Sequence, residues 1–328
     1  MTMGTKADMV IYDVEFFSAI TETVQQSSED IEASANGTIR MISNNQKGDF
    51  EKSSFFKNID GLIRNRDPNS TGDADVKSLT QDELVAVKIN RGVGPVRQSI
   101  DSFKKIGEDP SSLSFYVGAQ MAPAVVLDMV NTGVMAITTA MSSVADMVHD
   151  VVAGSADVKT LSPIHLNDAF RKLGDRQGRV RALVMHSKSF NDLVGNQILE
   201  KVTGLSDTAV YGATPGTLNR PVYVTDSPAL VIEDGVSSGV HAYRVLGLTE
   251  DALIINESEE RTVMALPKTG GDNLAIEIQA DFSYTVGVKG FAYTSAASPD
   301  DSVLGNTANW AYRYSDVRNG PGVVLVVA

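Results

Sequence analysis

The sequence contains no cysteine and few histidines, and both shortages limit the chemistry that the chain can support. Among its 328 residues only four are histidines, His149, His165, His186 and His241. No two of them have the H-x-x-x-H spacing with which a helix presents two ligands to zinc, and no thiolate is available to complete a site. The sequence therefore predicts neither a metal site nor a disulfide, and it fits a reducing compartment.

Basic residues are also scarce. The chain has 28 lysines and arginines against 41 aspartates and glutamates, which gives a formal net charge of -13. Proteins dedicated to nucleic-acid binding gather lysine and arginine in order to displace counterions from phosphates. This balance argues against a dedicated DNA- or RNA-binding surface, although residues 170–181 (FRKLGDRQGRVR) remain a candidate for a local basic patch.

A convincing membrane span is missing as well. The apolar run from Met129 to Ala145 has 17 residues without a charge, but six of them are asparagine, threonine or serine. A span needs about 20 predominantly apolar residues, so we expect no membrane helix here. At the amino terminus no basic stretch precedes an apolar core, so we expect no secretory signal.

What the sequence does have is a long helical periodicity around this run. Apolar residues recur at steps of three and four at Ala122, Val126, Val130, Val134, Ile137, Met141, Val144 and Val148. This spacing is typical of one face of an α-helix. It predicts a helix from about Val117 to Val152, about 50 Å long at the usual rise per residue, with Gly154 as its stop signal.

The segment before this helix predicts a projecting excursion. Residues 37–43 and 83–91 have strand-like patterns, and the roughly forty residues between them are an uncommonly long insertion for a compact domain. Within the insertion the sequence predicts a short amphipathic helix with an apolar side formed by Phe55, Phe56, Ile59, Leu62 and Ile63.

The remainder of the chain alternates between helices and strands and then becomes strand-rich. Residues 162–175 and 187–202 read as helices, residues 180–187 read as a buried strand, and residues 220–227 and 241–256 read as further strands. From residue 261 onward the segments are extended, and they end with GVVLVVA. The sequence therefore predicts an α+β fold.

Two stretches superficially resemble catalytic or metal-binding motifs. His186 and Ser187 follow a predicted strand and precede a helix, but the G-x-S-x-G of a nucleophile elbow is absent. The start of a calcium loop is matched by Asp67, Asn69, Thr71 and Gly72, but its twelfth position is Ser78 instead of a bidentate glutamate. We expect no catalytic, cofactor-binding or metal-binding residues.

The order of these segments resembles a known family. The resemblance is carried by SANGTIRMISNNQKGDFEKSSFFKNIDGLIRNRD, VAVKINRGVGPVRQSIDSFKKIGEDP, LNDAFRKLGDRQGRVRALVMHSKSFNDLV and KGFAYTSAASPDDSVLGNTANW. These stretches are similar to segments of the major capsid proteins of tailed bacteriophages, which have the Hong Kong 97-like fold. The resemblance covers nearly the whole chain.

The resemblance implies a division of the chain into the parts of that fold. The implied parts are an N-terminal arm (1–35), an extended loop (36–95), the spine helix and first part of the peripheral domain (96–154), the axial domain (155–260), the return strands of the peripheral domain (261–299) and a C-terminal segment (300–328) that the resemblance does not place.

It also implies a structural function. The chain would assemble with copies of itself, as hexamers and pentamers, into an icosahedral head that encloses double-stranded DNA and contacts it without sequence specificity. Its implied partners are a portal, a separate scaffolding protein and, in some phages, a decoration protein. Assembly would take place in the host cytoplasm, without a membrane, and the product would be the virion capsid.

Covalent cross-linking between subunits, known in the namesake of this fold, is not expected. Lysines do lie in or near the implied loop, at Lys47, Lys52, Lys57 and Lys77, but no aligned asparagine partner or catalytic glutamate is recognisable. Beside the loop, Lys88, Arg91 and Arg97 are candidates for ion pairs with a neighbouring subunit, and a solvated face is an equal alternative.

Three alternatives stay open at this stage. An encapsulin-like nanocompartment subunit would share the fold and enclose a cargo enzyme. An α/β enzyme would need a pocket with converging polar groups, which no motif supports. A phage tail or decoration component is the third alternative, but such proteins are usually rich in β-strands and the long helix argues against it.

Overall fold

The computed structural model describes most of the chain. The described residues are 29–59, 61–65, 69, 72–73, 76–101, 112–154, 159–203, 217–218, 220–237, 239–259 and 262–328. The implied N-terminal arm, up to residue 28, lies outside them. So do Asp67 and Thr71, the first and fifth positions of the calcium-like loop.

The described strands, numbered in chain order, form two sheets. The first sheet contains β1 (Ile39–Ser43), β2 (Phe50–Phe56), β3 (Gln81–Ser99), β9 (Leu253–Glu257), β10 (Thr262–Lys268), β11 (Ala275–Val288), β12 (Phe291–Tyr293) and β13 (Trp310–Tyr312). The second contains β4 (Val148–Asp150), β5 (Val180–Met185), β6 (Val222–Val224), β7 (Val231–Ser237), β8 (Val240–Thr249) and β14 (Gly322–Val327). The described α-helices named here are α1 (Ser112–Ser142), α2 (Pro163–Arg171), α3 (Ser187–Thr203) and α4 (Asp301–Leu304).

Helix α1 lies between the two sheets. Its buried side chains form one core with residues of β3, β9 and β11 on one side and with Val324 and Val326 of β14 on the other. At Gly133 an added Cβ would lie 2.8 Å from Ile255 Cδ1 and 2.9 Å from Leu253 Cδ2, so the glycine allows β9 to approach closely. The apolar stripe of the helix lies under the long strands β3 and β11, and the opposite side of the helix is buried against β14.

The apolar character of α1 is explained by this position. Residues 120–142 are long and apolar enough to cross a membrane, with a mean hydropathy of 1.5 over the most apolar window, but 67% of that window is buried inside the protein. The helix is a core element covered by its own chain.

The predicted end of this helix was wrong. The helix ends at Ser142 rather than near Val152, and Ser143 accordingly donates its hydroxyl to the Ala140 carbonyl at 2.7 Å. Val144 has an extended backbone, and Val148 enters β4, where it pairs with Val324 of β14. The valines in this stretch continued the helical spacing, but β-branched residues fit a strand equally well and a free sheet edge was available.

The predicted amphipathic helix in the excursion was also wrong. Residues 50–56 form β2, which pairs antiparallel with β3 from Phe50 opposite Val87 to Phe56 opposite Gln81. Phe55 is partly buried whereas Phe56 is exposed, because neighbouring residues on a strand point to opposite faces. The spacing of the apolar residues matched a helix only by coincidence.

Helices α2 and α3 cover the second sheet on the face turned away from α1. Leu166 and Phe170 of α2 and Leu193 of α3 share a second core with Val323 and Leu325 of β14. The start of α2 follows the predicted signal, since Pro163 occupies its first turn and the Ser162 hydroxyl accepts the His165 amide at 3.4 Å. Strand β14, whose placement the resemblance left open, is buried on both faces between β4 and β8.

The position of α1 predicts the effect of a charge on it. Val134 is 1% exposed, so Val134→Asp buries an unpaired carboxylate, and we expect it to destabilise the subunit by about 3–5 kcal/mol or to prevent folding. Denaturant unfolding of the purified subunit measures this. Leu127→Asp is the matched control, because Leu127 lies on the same helix but is 58% exposed, and its effect should stay within about 0.5 kcal/mol. Equal unfolding midpoints for the two variants would contradict the assigned position of the helix.

Candidate assembly surfaces

Strand β3 joins two projections of the first sheet. Its 19 residues extend over about 60 Å at the usual rise of a strand. The first part, Gln81 to Val87, pairs with β2, and the remainder, to Ser99, pairs with β11. We call β2, the connection of residues 57–80 and the paired part of β3 the arm, and we call β10 and the outer half of β11 the hairpin. The arm and the hairpin lie at opposite ends of β3.

The arm carries exposed apolar side chains at its outer end. Ile63 is 96% and Val76 is 95% exposed, and Phe56, Leu62 and Leu79 are more than half exposed. Contact between water and large apolar side chains is unfavourable. Several such side chains exposed on one segment therefore indicate a protein-interaction surface. This end of the arm therefore suits burial against another chain.

The hairpin carries a second, different exposed apolar surface. Met264 and Leu266 project from the same face of β10, and Leu274 and Val96 are also exposed. Among the described residues β10 pairs only with β11, so its outer edge is available for pairing with another strand. A signal for this surface is present in the sequence, because TVMALPK has apolar residues on both faces of a strand, a pattern typical of a covered surface.

Ionic contacts lie beside this surface. Arg97 donates from Nε to Oε1 of Glu277 at 2.8 Å, and Lys268 Nζ lies 3.4 Å from the same oxygen. The hydrogen bond from Arg97 is the main cause that lowers the pKa of the Glu277 carboxyl. Two cations against one carboxylate leave this patch with a positive charge.

The base of the arm is fixed to the body by an aromatic and an ionic contact. The ring of Phe55 packs edge-on against Tyr314, with centroids 5.3 Å apart. Asp82 lies 2.7 Å from Lys57 Nζ and 3.9 Å from Arg313 of the body. The hydrogen bond from Lys57 is the largest contribution that lowers the pKa of Asp82. These contacts define the direction in which the arm leaves the body.

A largely buried arginine ties β3 to three other elements. Arg91 Nε lies 3.3 Å from Asp128 of α1, and its Nη2 forms an ion pair with Asp301 at the start of α4. The Tyr284 hydroxyl of β11 donates to the same Asp128 carboxylate at 2.9 Å. Burial alone would lower the pKa of the guanidinium, but Asp301, Tyr284 and Asp128 together outweigh this effect and raise it, and burial raises the pKa of Tyr284. The cluster holds β3 in register with the core.

The three cations considered for contacts with a neighbouring subunit have partners within this chain. Lys88 forms an ion pair with Glu259, and Arg91 and Arg97 are paired as described above. The sequence could not reveal the ion pairs with Glu259, Asp301 and Glu277, because these partners are separated from the cations by 171 residues or more. Contacts of the three cations with a neighbouring subunit stay a prediction.

The lysines considered for cross-linking differ in their surroundings. Lys52 pairs with Glu83 at 3.1 Å across the arm, and Lys57 pairs with Asp82. Lys47 and Lys77 are exposed.

The His186 and Ser187 pair does not have the geometry of a catalytic site. The His186 Nδ1 accepts the Lys188 amide at 3.1 Å, and its Nε2 faces Asp226 at 3.5 Å. The Ser187 side chain bonds to the same Asp226, and this bond is the largest cause that lowers the pKa of that carboxyl. The Nδ1 is therefore occupied by the Lys188 amide, and the Ser187 side chain is bonded to Asp226.

Other predicted sites give no chemical centre in the described part of the chain. No group of three histidine, aspartate or glutamate side chains there could hold a metal ion. In the basic segment at residues 170–181, Arg171 pairs with Asp168, Arg176 with Asp316 and Arg181 with Glu250. Arg179 instead donates to the Asn319 amide oxygen and Lys172 to the Ala145 carbonyl. The local basic patch is therefore only partly neutralised within the chain.

Comparison of the fold with solved structures finds phage capsids. The chain is similar to a chain of the cyanophage Pam1 capsid, with a TM-score of 0.53 and 10% identity over 88% of each chain. It is similar to the capsid of Ralstonia phage GP4, with a TM-score of 0.53 and 11% identity over 89% of this chain and 87% of that one. A capsid structure of Helicobacter pylori bacteriophage KHP30 matches with a TM-score of 0.51 and 10% identity over 89% and 88%. These likenesses show the fold, and they confirm the Hong Kong 97-like architecture.

Comparison by sequence identifies the family. No match was found among curated proteins. The model of the Gp13-like family, described as major capsid protein 13-like, matches residues 8–324, which is nearly the whole chain. The resemblance found in the sequence is thereby confirmed, and neither a nanocompartment nor an enzyme is favoured. The chain belongs to the major capsid protein 13-like family and is a structural subunit of a phage capsid.

Proposed function

We propose that this subunit forms hexamers and pentamers that close into an icosahedral head around double-stranded DNA. The observation that carries the proposal is the placement of two different apolar surfaces, on the arm and on the hairpin, at opposite ends of one strand. A ring of identical subunits requires a heterologous contact, in which one surface meets a different surface of the next copy. A subunit with unlike surfaces at its two ends meets this requirement.

The parts of the fold take the following roles in this proposal. Residues 36–95, with the arm, are the extended loop that reaches a neighbouring subunit, and α1 is the spine of the peripheral domain. Residues 155–260, which include most of the second sheet, are the axial domain around the symmetry axes, and residues 261–299 return to the peripheral domain. The C-terminal segment supplies β14 to the second sheet.

The charge of the chain fits a container for DNA. A net charge of -13 argues against a strongly basic lining that would hold the duplex, so contact with DNA is non-specific and weak. The proposal includes assembly in the bacterial cytoplasm, without a membrane, and a portal and a separate scaffolding protein as partners. A decoration protein is a further partner to be sought.

The arm surface gives a direct test of assembly. We expect Ile63→Asp to leave the free subunit folded, since this side chain is exposed, but to reduce the yield of shells about tenfold or more, as a loss of about 1.4 kcal/mol per contact would. Electron microscopy and sedimentation of the protein, expressed alone and with its genomic neighbours, measure the yield. The control is Ser54→Asp, which places the same charge on an exposed position of the arm without removing an apolar side chain. Normal shells from Ile63→Asp would refute the role of the arm. A wild-type chain that stays monomeric when it is expressed with the proteins of its neighbouring genes would refute the proposal that it forms a shell.

The absence of cross-links gives a second test. We expect mature particles, boiled in denaturant, to give one band near 35.0 kDa on denaturing electrophoresis, because non-covalent contacts do not survive denaturation. A ladder at multiples of this mass would show covalent bonds between subunits. Mass spectrometry of such a ladder would then identify which lysine had reacted.

A further inference from the structure

A group of cations lies at the end of the first sheet that is opposite to the hairpin. Strand β11 pairs with β10 through residues 275–281 and with β9 through residues 284–288, so the hairpin and the start of β9 lie at opposite ends of β11. Four exposed or half-buried cations meet near the start of β9. They are Arg40 of β1, Arg179 and Arg181 on either side of the first residue of β5, and Lys289 between β11 and β12. We call this group the basic surface.

The turn between β8 and β9 holds three of these cations together. Arg40 Nη1 lies 3.7 Å from Asp251 Oδ1, and Arg181 Nη2 lies 3.4 Å from Glu250 Oε2. Lys289 Nζ donates to the backbone carbonyl of Glu250 at 2.6 Å. The three side chains come from different elements, so only the folded chain brings their charges together.

Two members of the basic surface form no ion pair with a carboxylate in the described part of the chain. Arg179 donates to Asn319 Oδ1 at 3.3 Å, and Lys289 donates to the backbone carbonyl in the turn. Burial is the largest cause that lowers the pKa of Lys289, Asp251 opposes it, and the charge of Arg179 lowers this pKa further. The two cations therefore lie close enough to repel each other.

The charges of this region do not balance. The basic surface has four cations against the two carboxylates of the turn between β8 and β9. Beside it, Arg176 and Arg318 are matched by Asp175 and Asp316. The whole chain has the opposite imbalance, with a formal net charge of -13. The basic surface is therefore a local exception that attracts anions.

The basic surface also lacks exposed large apolar side chains. None is found in residues 36–40, 174–181, 249–251, 289–290 and 313–319, all of which the structure describes, whereas the arm and the hairpin each expose several. Interfaces between proteins have an apolar, desolvated centre, but surfaces that bind DNA are polar and positively charged. The basic surface therefore fits the phosphates of a nucleic acid better than it fits another subunit.

We propose that the basic surface faces the interior of the shell and contacts the phosphates of the packaged double-stranded DNA. This inference rests on the proposed function, because a closed head is what brings every copy of the chain next to the duplex. Two surplus charges in each subunit form a weak contact, and repetition over all subunits adds many such contacts without sequence specificity. The inference assigns an inner side to the subunit.

Binding of DNA by the unassembled subunit tests the basic surface. The double variant Arg179→Gln with Lys289→Gln removes the two cations that form no ion pair. We expect it to bind a random-sequence duplex about tenfold more weakly than the wild type at low salt, and the slope of log affinity against log salt concentration to fall by about two, one for each cation. Fluorescence anisotropy of a labelled duplex at several salt concentrations measures both quantities.

A matched double variant controls for net charge. Arg97→Gln with Lys268→Gln removes the same two charges at the hairpin, and we expect its DNA affinity to equal that of the wild type. An unchanged affinity of the first double variant, an equal loss in both, or a wild type that binds no DNA at low salt would refute the basic surface. These measurements need no shell, so their failure is distinguishable from a failure to assemble, which would refute the proposed function instead.

A single introduced thiol tests the inner position. The chain has no cysteine, and a Cβ added at Gly178, next to Arg179, would meet nothing within 4 Å apart from its chain neighbours. In empty shells of Gly178→Cys we expect a small maleimide to modify the thiol, and a maleimide on a polymer too large to cross the shell to leave it unmodified. The free subunit should react with both reagents. Modification of shells by the large reagent would place the surface outside, and no reaction with either would place it between subunits, so each of these results would overturn the proposal.

Discussion

The fold depends on the burial of α1 from both sides. An amphipathic helix that packs on one sheet needs a single apolar stripe, but from Met129 to Met141 this helix is buried almost all around. It therefore serves as a shared core element that packs on both sheets and holds them together. Small residues make this possible. Gly133 allows β9 to approach closely on one side, and the alanines and threonines of the helix keep its diameter small.

The same constraint explains why β3 can project at both ends. Its middle is fixed to the helix through buried Val87 and Ile89 and through the ion pairs of Arg91. Its first part pairs with β2 and, at Val85, with β12, and its last part pairs with β11. A rigid centre with two ends that extend in opposite directions lets a subunit contact distant neighbours while it keeps its own fold.

The sequence predicted this architecture well where local patterns were sufficient. The three-and-four spacing identified α1, Ser162 and Pro163 identified the start of α2, and alternating residues identified the strands from β8 to β11. The errors arose where a local pattern fitted two structures. Val144 and Val148 continue a helical spacing but extend into β4, and Phe55 and Phe56 resemble a helix face but lie on opposite sides of β2. Long-range pairings could not be predicted at all, since nothing near Lys88 in the sequence indicates Glu259. The capsid function followed from resemblance, whereas the hairpin surface needed the fold.

The position of β14 has a consequence for synthesis of the protein. This strand packs on α1 and lies in the middle of the second sheet, between β4 and β8, yet it follows every other described strand in the chain. While a ribosome is still translating residues 322–327, one side of α1 and one edge of β8 have no cover. The nascent chain therefore exposes one apolar side of α1 until residues 322–327 have been translated, and chaperones bind such exposed apolar surfaces.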